Sequence, residues 1–489
     1  MNLIKLLIFT FLSLNLMISG SFSSPWASPG DARLRSDVEI LSQFGFISGP
    51  VNNWPMSWKQ ITGNLYKADT MVLPAYVELA LNRVKNKIPS ELNVKAKVYY
   101  TNKTDLFRGF EKKSRNENEI ETAVDYNLEL TSVHLNARYS NEEEINLDGS
   151  YFSHEIGNWS TYVGAVERWW GPGREATTIL STNARPMPSF GIRRVRPEAF
   201  KMKWLSWMGP WQWDIFISKM DKDRFFSRPV FIGMKLGFEP VKNFEVGLSR
   251  TLMMCGEGRV CNIKSWTQSI IGLGDLDNIG TVETQPGNQL AQIDMSYSFS
   301  WNEQVNVKIY AEGAAEDLIV VLPYTYSRIA GVSLFGPFGN DGSSWRITSE
   351  YSDTTGSLAW LYGHHRKGIM YNHHIYKTGY RYYDRAIGHS LDSDSKYFSL
   401  KAMIVNVDNW EAGLKYQNIL INSENINQGQ QRNYLSRNRE RINSFTASFI
   451  INTELGKFQV DGRVMDNDIN TPLENKVNFT AGMTWELRF

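Results

Sequence analysis

Cysteine is almost absent: Cys255 and Cys261 are the only two in 489 residues. They flank a short glycine-containing loop, and no other thiol exists to complete a metal site. In an exported chain that pattern favours a Cys255–Cys261 disulfide. Excess charge is absent too. The 52 basic and 51 acidic side chains leave a net charge of +1, without the basic surplus of a nucleic-acid binder. Beyond residue 23 no apolar run is long enough to cross a bilayer as a helix. Signatures of catalysis are missing as well: there is no G-x-S-x-G, no H-E-x-x-H and no phosphate-cradling loop. GLGDLDNIG is too irregular for a nucleotide fingerprint. No enzyme activity, cofactor or bound metal is expected.

Aromatic residues are plentiful: 25 Phe, 22 Tyr and 16 Trp, in a chain of mean hydropathy −0.35. A polar average with many aromatics suits a β-rich protein with one apolar face. The opening MNLIKLLIFTFLSLNLMISGSFSS predicts a signal peptide over 1–23. Lys5 supplies the charged start, 6–18 the apolar run, and Ser19, Gly20, Ser21 and Ser23 the small residues. No Cys follows the run, which argues against a lipoprotein.

Residues 24–90 read as a small helical domain on the periplasmic side. Ser28 is a candidate N-cap, with Pro29 behind it and Asp31 in the capping-box slot. Leu34, Val38, Leu41 and Phe44 share one face, and Gly45 can end the helix. Further helices are expected from Ser57 and Pro74.

From residue 91 to 489 the period is two. Val477, Phe479, Ala481, Met483, Trp485, Leu487 and Phe489 alternate with polar residues or glycine. LAQIDMSYSFSW repeats the pattern. Alternation fits a soluble sandwich as well as a membrane barrel. Strand length near ten, aromatics at strand ends, and connections alternating short and long favour the barrel. Counting back from a last strand that descends to the periplasm gives about 18 antiparallel strands, an even number. Among them are strands expected near 144–153, 157–168 and 200–208. The loops 101–120, 169–199, 253–288, 354–395 and 422–439 then face outward. The final aromatic residue is the kind of signal the barrel-insertion machinery reads. A barrel of this width holds an aqueous lumen unless something fills it, so a porin-like diffusion channel is one functional reading.

Two outer loops carry candidate chemistry. Loop 169–199 holds Trp169, Trp170, Arg174, Arg185, Arg193, Arg194 and Arg196. Tryptophan beside guanidinium can stack on sugar rings and grip carboxylates. Alternatively, the tryptophans join the interfacial belt and the arginines line or plug the lumen. Loop 354–395 holds Tyr380, Arg381, Tyr382, Arg385 and five of the seven histidines: His364, His365, His373, His374 and His389. Adjacent histidines on a strand point opposite ways, which argues against a metal site. With Arg432, Arg437 and Arg439 in 422–439, these loops would attract an anionic polymer.

Several stretches together resemble the capsule assembly Wzi family of outer-membrane proteins: SPWASPGDARLRSDVEILSQFGFI, ERWWGPGREATTILSTNARPMPSFGI, CGEGRVC, PGNQLAQIDMSYSF, GYRYYDRAIGHSLDSDS and the terminal GMTWELRF. The resemblance spans nearly the whole chain after the leader. It implies an 18-stranded barrel with a helical N-terminal bundle and a plugged lumen. It also implies a non-enzymatic, lectin-like role in attaching capsular polysaccharide or exopolysaccharide to the cell surface. It supplies no sugar-contacting residues, so the candidates rest on loop chemistry. Expected partners are that polysaccharide, outer-membrane lipid and the insertion machinery.

Overall fold

The computed structural model describes residues 25–105, 107–142, 145–271, 287–316, 326–356, 368–428, 431–469 and 477–489. The expected signal peptide, His364, His365 and GLGDLDNIG lie outside the described residues.

Eighteen strands close into one barrel. They are β1 (Leu92–Thr101), β2 (Asn118–Asn127), β3 (Thr131–Ser140), β4 (Tyr151–Ile156), β5 (Trp159–Gly164), β6 (Ser189–Arg194), β7 (Trp211–Lys219), β8 (Val230–Val241) and β9 (Phe244–Met254). The circuit continues with β10 (Gly287–Asn302), β11 (Val305–Glu316), β12 (Ser327–Pro337), β13 (Ser344–Asp353), β14 (Lys396–Val405), β15 (Trp410–Ile421), β16 (Glu440–Thr453), β17 (Gly456–Met465) and β18 (Asn478–Arg488). Neighbours in sequence pair antiparallel. The seam joins β18 to β1, from Gly482 opposite Thr101 to Arg488 opposite Lys95. No strand edge is left unpaired, so the backbone needs no water inside a bilayer.

The alternation is inside out relative to a soluble sandwich. On β10, Ile293 is 51% exposed while Asp294 is 2% exposed. The apolar residues form the outer wall and the polar ones face the lumen, the pattern of a transmembrane barrel.

The strand total matches expectation, but one member differs. Residues 200–208 are not a strand, and SFGIRR at Ser189–Arg194 takes that place. Only Phe190 and Ile192 mark the outer face of β6, whereas Phe200, Met202 and Trp204 imitate strand alternation from a connecting loop. β4 and β5 are also shorter than the expected 144–153 and 157–168. The disulfide between Cys255 and Cys261 is formed.

Short connections gather at one end and long ones at the other, which makes the short end periplasmic. The helices are α1 (Ala32–Gln43), α2 (Trp58–Thr62), α3 (Ala75–Lys85) and α4 (Ile263–Ile271). The N-cap of α1 is Asp31 rather than Ser28, since its side chain accepts from the Leu34 N–H at 2.9 Å. The helical start does not form a separate body beneath the barrel. α1 is buried in the lumen and bonded to its wall: Arg33 pairs with Glu411 of β15 at 2.8 Å, and Gln43 donates to Asn306 of β11 at 2.7 Å. α3 covers the periplasmic mouth. It packs on α1 through the Arg83–Asp37 pair, and its Tyr76 hydroxyl accepts from Asn306.

Candidate functional site

Two loops fold inward from the outer end, and the first reaches α1. The first, 165–188, contains WWGPGREATT. Trp169 and Trp170 pair with Asn53–Trp54 in a two-residue ladder and are fully buried. They belong neither to the interfacial belt nor to a sugar-accessible surface. The turn that follows wraps two luminal carboxylates. Glu312 of β11 accepts from the backbone N–H groups of Gly173 and Thr178 at 3.1 and 3.0 Å. Glu350 of β13 accepts from those of Arg174 and Ala176 at 2.7 and 2.9 Å. Gly171 has φ +151, and a Cβ there would lie 2.3 Å from a Glu312 oxygen. The approach requires glycine.

Arg174 is spent inside the plug. It pairs with Glu39 of α1, which also meets Lys308 at 3.3 Å, Arg346 at 3.0 Å and Arg35 at 3.4 Å. Burial opposes the charge on Glu39, but the four cations outweigh it and hold the carboxyl well below its ordinary range. Glu39, Lys308, Glu312, Arg346 and Glu350 were not among the sequence candidates. For the last four the signal is charge on the inward positions of strands: Lys308 and Glu312 lie four apart on β11, as do Arg346 and Glu350 on β13.

The second loop, 369–395, lies across the outer mouth. Tyr380 is buried, with its hydroxyl donating to the Ile179 carbonyl at 2.8 Å. Arg381 is fully buried as well. It grips Asp392 through two nitrogens, donates to Asn372 Oδ1 at 2.9 Å and the Tyr371 carbonyl at 3.1 Å, and lies over Tyr434 at 3.8 Å. Both residues hold the lid together rather than face solvent.

His373 and His389 are framework residues too. The His373 Nδ1 accepts from the N–H groups of Ile375 and Tyr376. The His389 Nδ1 accepts from Leu391 N–H at 3.1 Å, which leaves Nε2 to donate to Ser352 at 2.7 Å. Burial pushes them down to about 3 and about 4 respectively. Both are neutral bases in the fold, so stability is lost as pH falls from the ordinary value of 6.5 through these values. Hydrogen exchange in 369–395 should quicken between pH 6.5 and 4. A pH-independent rate, corrected for intrinsic exchange, would contradict this account.

Above the lid stands a two-residue hairpin. Arg381–Tyr382 pairs with Arg385–Ala386, and Tyr383 and Asp384 form its tip at φ +47 and +58. These angles suit Asn or Gly better than tyrosine, so the fold holds an aromatic ring outward against a backbone preference. Tyr383 is 52% exposed and meets Tyr382 edge to face at 4.6 Å. Tyr382 itself is buried. Arg185 lies 5.4 Å from the Tyr383 ring and grips Asp148 at 2.7 and 3.2 Å.

Arg385 is partly exposed and, among the described residues, has no hydrogen-bond or ion-pair partner for its guanidinium. Arg108 and Arg115 lie close enough to interact with it electrostatically. Burial, then Arg115 and Arg385, push Arg108 well below the usual guanidinium value, despite Asp105 and Glu119 nearby. Burial also lowers Arg385. Asp105 and Asp392 act on Arg385 from a distance and oppose that shift without forming an ion pair with it.

Arg193, Arg194 and Arg196 do not join this cluster. β6 carries them to the periplasmic end. There Arg193 donates to the Pro55 carbonyl, and Arg194 lies over Trp211 at 3.8 Å. Arg196 is exposed on the same side. Of the arginines expected in one outer loop, only Arg185 reaches the outer mouth.

A closed, even-numbered antiparallel barrel with an apolar wall and a charged, occupied lumen defines an outer-membrane β-barrel protein. Within that class, the chain belongs to the capsule assembly protein Wzi family, whose profile matches residues 86–480. One relative is the "uncharacterized 55.8 kDa protein in cps region" of Klebsiella pneumoniae. It is 29% identical over 406 residues, covering 81% of this chain and 78% of that one. Among solved structures, Wzi of Escherichia coli superposes with a TM-score of 0.79 at 22% identity, over 96% of this chain and all of that one. That protein is described as an outer-membrane, carbohydrate-binding β-barrel involved in group 1 capsule assembly. The likeness establishes a shared fold.

Proposed function

We propose that this protein is a non-enzymatic surface lectin that attaches an acidic capsular polysaccharide or exopolysaccharide to the outer membrane. The observation that carries the reading is the arginine and tyrosine cluster at the outer mouth of a barrel whose lumen is occupied. Arg385 would grip a sugar carboxylate in two-pronged fashion, and the exposed Tyr383 ring would stack on a sugar face. Arg185, Arg108 and Arg115 supply the surrounding positive field. The filled lumen favours attachment over a diffusion channel. We further propose that residues 1–23 are removed on export. In the same reading, the insertion machinery recognises β18 before it closes on β1.

The test uses immobilised full-length protein and purified acidic polysaccharide. Arg385→Ala with Tyr383→Ala should weaken retention about tenfold to a hundredfold, the range for one charge-assisted contact plus an aromatic one. Cells carrying this variant should shed polymer into the medium while synthesis continues. Undiminished retention would remove the hairpin from the site, and cleavage of the polymer would overturn the lectin reading.

A further inference from the structure

The connection between β6 and β7 is out of place. Every other periplasmic connection is short, yet this one runs from 195 to 210. It does not hang in the periplasm. It folds back over the outside of the barrel wall, against the outward faces of β7 and β8. Phe200 stacks on Trp211 at 4.4 Å, and Trp207 meets Phe238 edge to face at 5.7 Å. Trp211 and Phe238 lie at the periplasmic edge of the lipid-facing wall, and the loop buries both to 7% exposure.

Having covered that apolar wall, the loop presents another. Trp204 is 70% exposed and Trp207 61%, beside an exposed Met202. Lys201 and Lys203 alternate with Met202 and Trp204 along the chain and Arg196 precedes them, against Glu198 as the loop's only carboxylate. Among the described residues, neither lysine ammonium has a partner. Tryptophan with flanking cations, continuous with a lipid-facing wall at its edge, matches the chemistry of a bilayer interface. The charge sign selects acidic headgroups.

We propose that loop 195–210 is a binding site for acidic phospholipid in the periplasmic leaflet of the outer membrane. Trp204, Trp207 and Met202 seat at the acyl-chain boundary. Lys201, Lys203 and Arg196 hold the headgroup phosphate. The site fixes the barrel's depth and rotation beside β4, β5 and β6, which have only six residues each.

The experiment places the full chain in nanodiscs of phosphatidylcholine with or without phosphatidylglycerol, and reads retained lipid by native mass spectrometry. Wild type should retain phosphatidylglycerol preferentially. Lys201→Glu with Lys203→Glu should cut that preference about thirtyfold or more, since each of the two cations near a charged surface is worth ~1 kcal/mol. Brominated phospholipid should quench the emission lost in Trp204→Phe/Trp207→Phe. Equal retention of both lipids by wild type, or an unchanged preference in the lysine variant, would overturn the proposal. Quenching of these tryptophans by aqueous iodide and not by brominated lipid would also overturn it, and would make the loop a docking surface for a periplasmic protein.

Discussion

Glu39→Ala should unseat the plug. The carboxylate is the common partner of Arg35, Arg174, Lys308 and Arg346, which come from α1, the WWGPGREATT turn, β11 and β13. Removing it leaves four cations facing one another in a buried site. Breaking a buried ionic cluster by deleting one partner costs about 3–5 kcal/mol, mostly because the remaining charge stays desolvated. The wild-type barrel should be silent in planar-bilayer conductance recordings, whereas the variant should conduct and expose α1 to protease. A variant that remains closed, with unchanged thermal unfolding, would disprove the role. Adding Arg346→Met should restore part of the loss, because it removes one of the stranded charges.

The pH dependence has a definite sign. Glu39 is held below its ordinary value of 4.5 in the fold. Its contribution is therefore complete above that value and lost as pH falls below it towards the depressed folded value. Conductance should appear on acidification below pH 4.5 and not on alkalinisation.

Arg381→Ala should be the most damaging change at the outer face, although the guanidinium is buried beneath it. Arg381 ties Asp392, Asn372, Tyr371 and Thr378 into one lid. Deletion strands Asp392 in a buried site and should again cost about 3–5 kcal/mol. Hydrogen exchange across 369–395 should accelerate, and polysaccharide retention should fall with it. Arg381→Lys should rescue only partly, because an ammonium cannot reproduce the planar fork. The contrast with Arg385→Ala separates positioning from contact. The Arg385 change should weaken retention while leaving exchange in the lid unaltered. Equal exchange in both variants would remove the distinction.

The barrel is legible in the sequence because lipid imposes a period of two on every strand that faces it. Residues 477–489 and LAQIDMSYSFSW carry that period plainly, and the strand parity fixes which loops share a side. The error at 200–208 has the same origin. A loop lying on the lipid-facing wall meets the same apolar demand as a strand, so AFKMKW alternates without pairing in the barrel. The true strand, SFGIRR, spends its inward positions on Ser189, Gly191 and Arg193, and leaves two apolar residues to announce it.

The candidate residues were legible only by type. Local sequence marks tryptophan and arginine as suited to sugars, but it does not say whether they face a ligand or one another. Trp169, Trp170, Arg174, Tyr380 and Arg381 are consumed by partners up to about two hundred positions away, such as Trp54, Glu39 and Ile179. Arg193 and Arg194 are carried to the opposite end by one strand. Arg385, four residues from Arg381 in the same short motif, has no hydrogen-bond or ion-pair partner among the described residues. By itself the sequence determined a closed barrel, its sidedness and its family, because those follow from periodicity and order along the chain. Only the tertiary structure decided which cations are paired inside the plug and lid and which reach the outer mouth without an ion-pair partner among the described residues, because that depends on where distant carboxylates meet them inside the lumen.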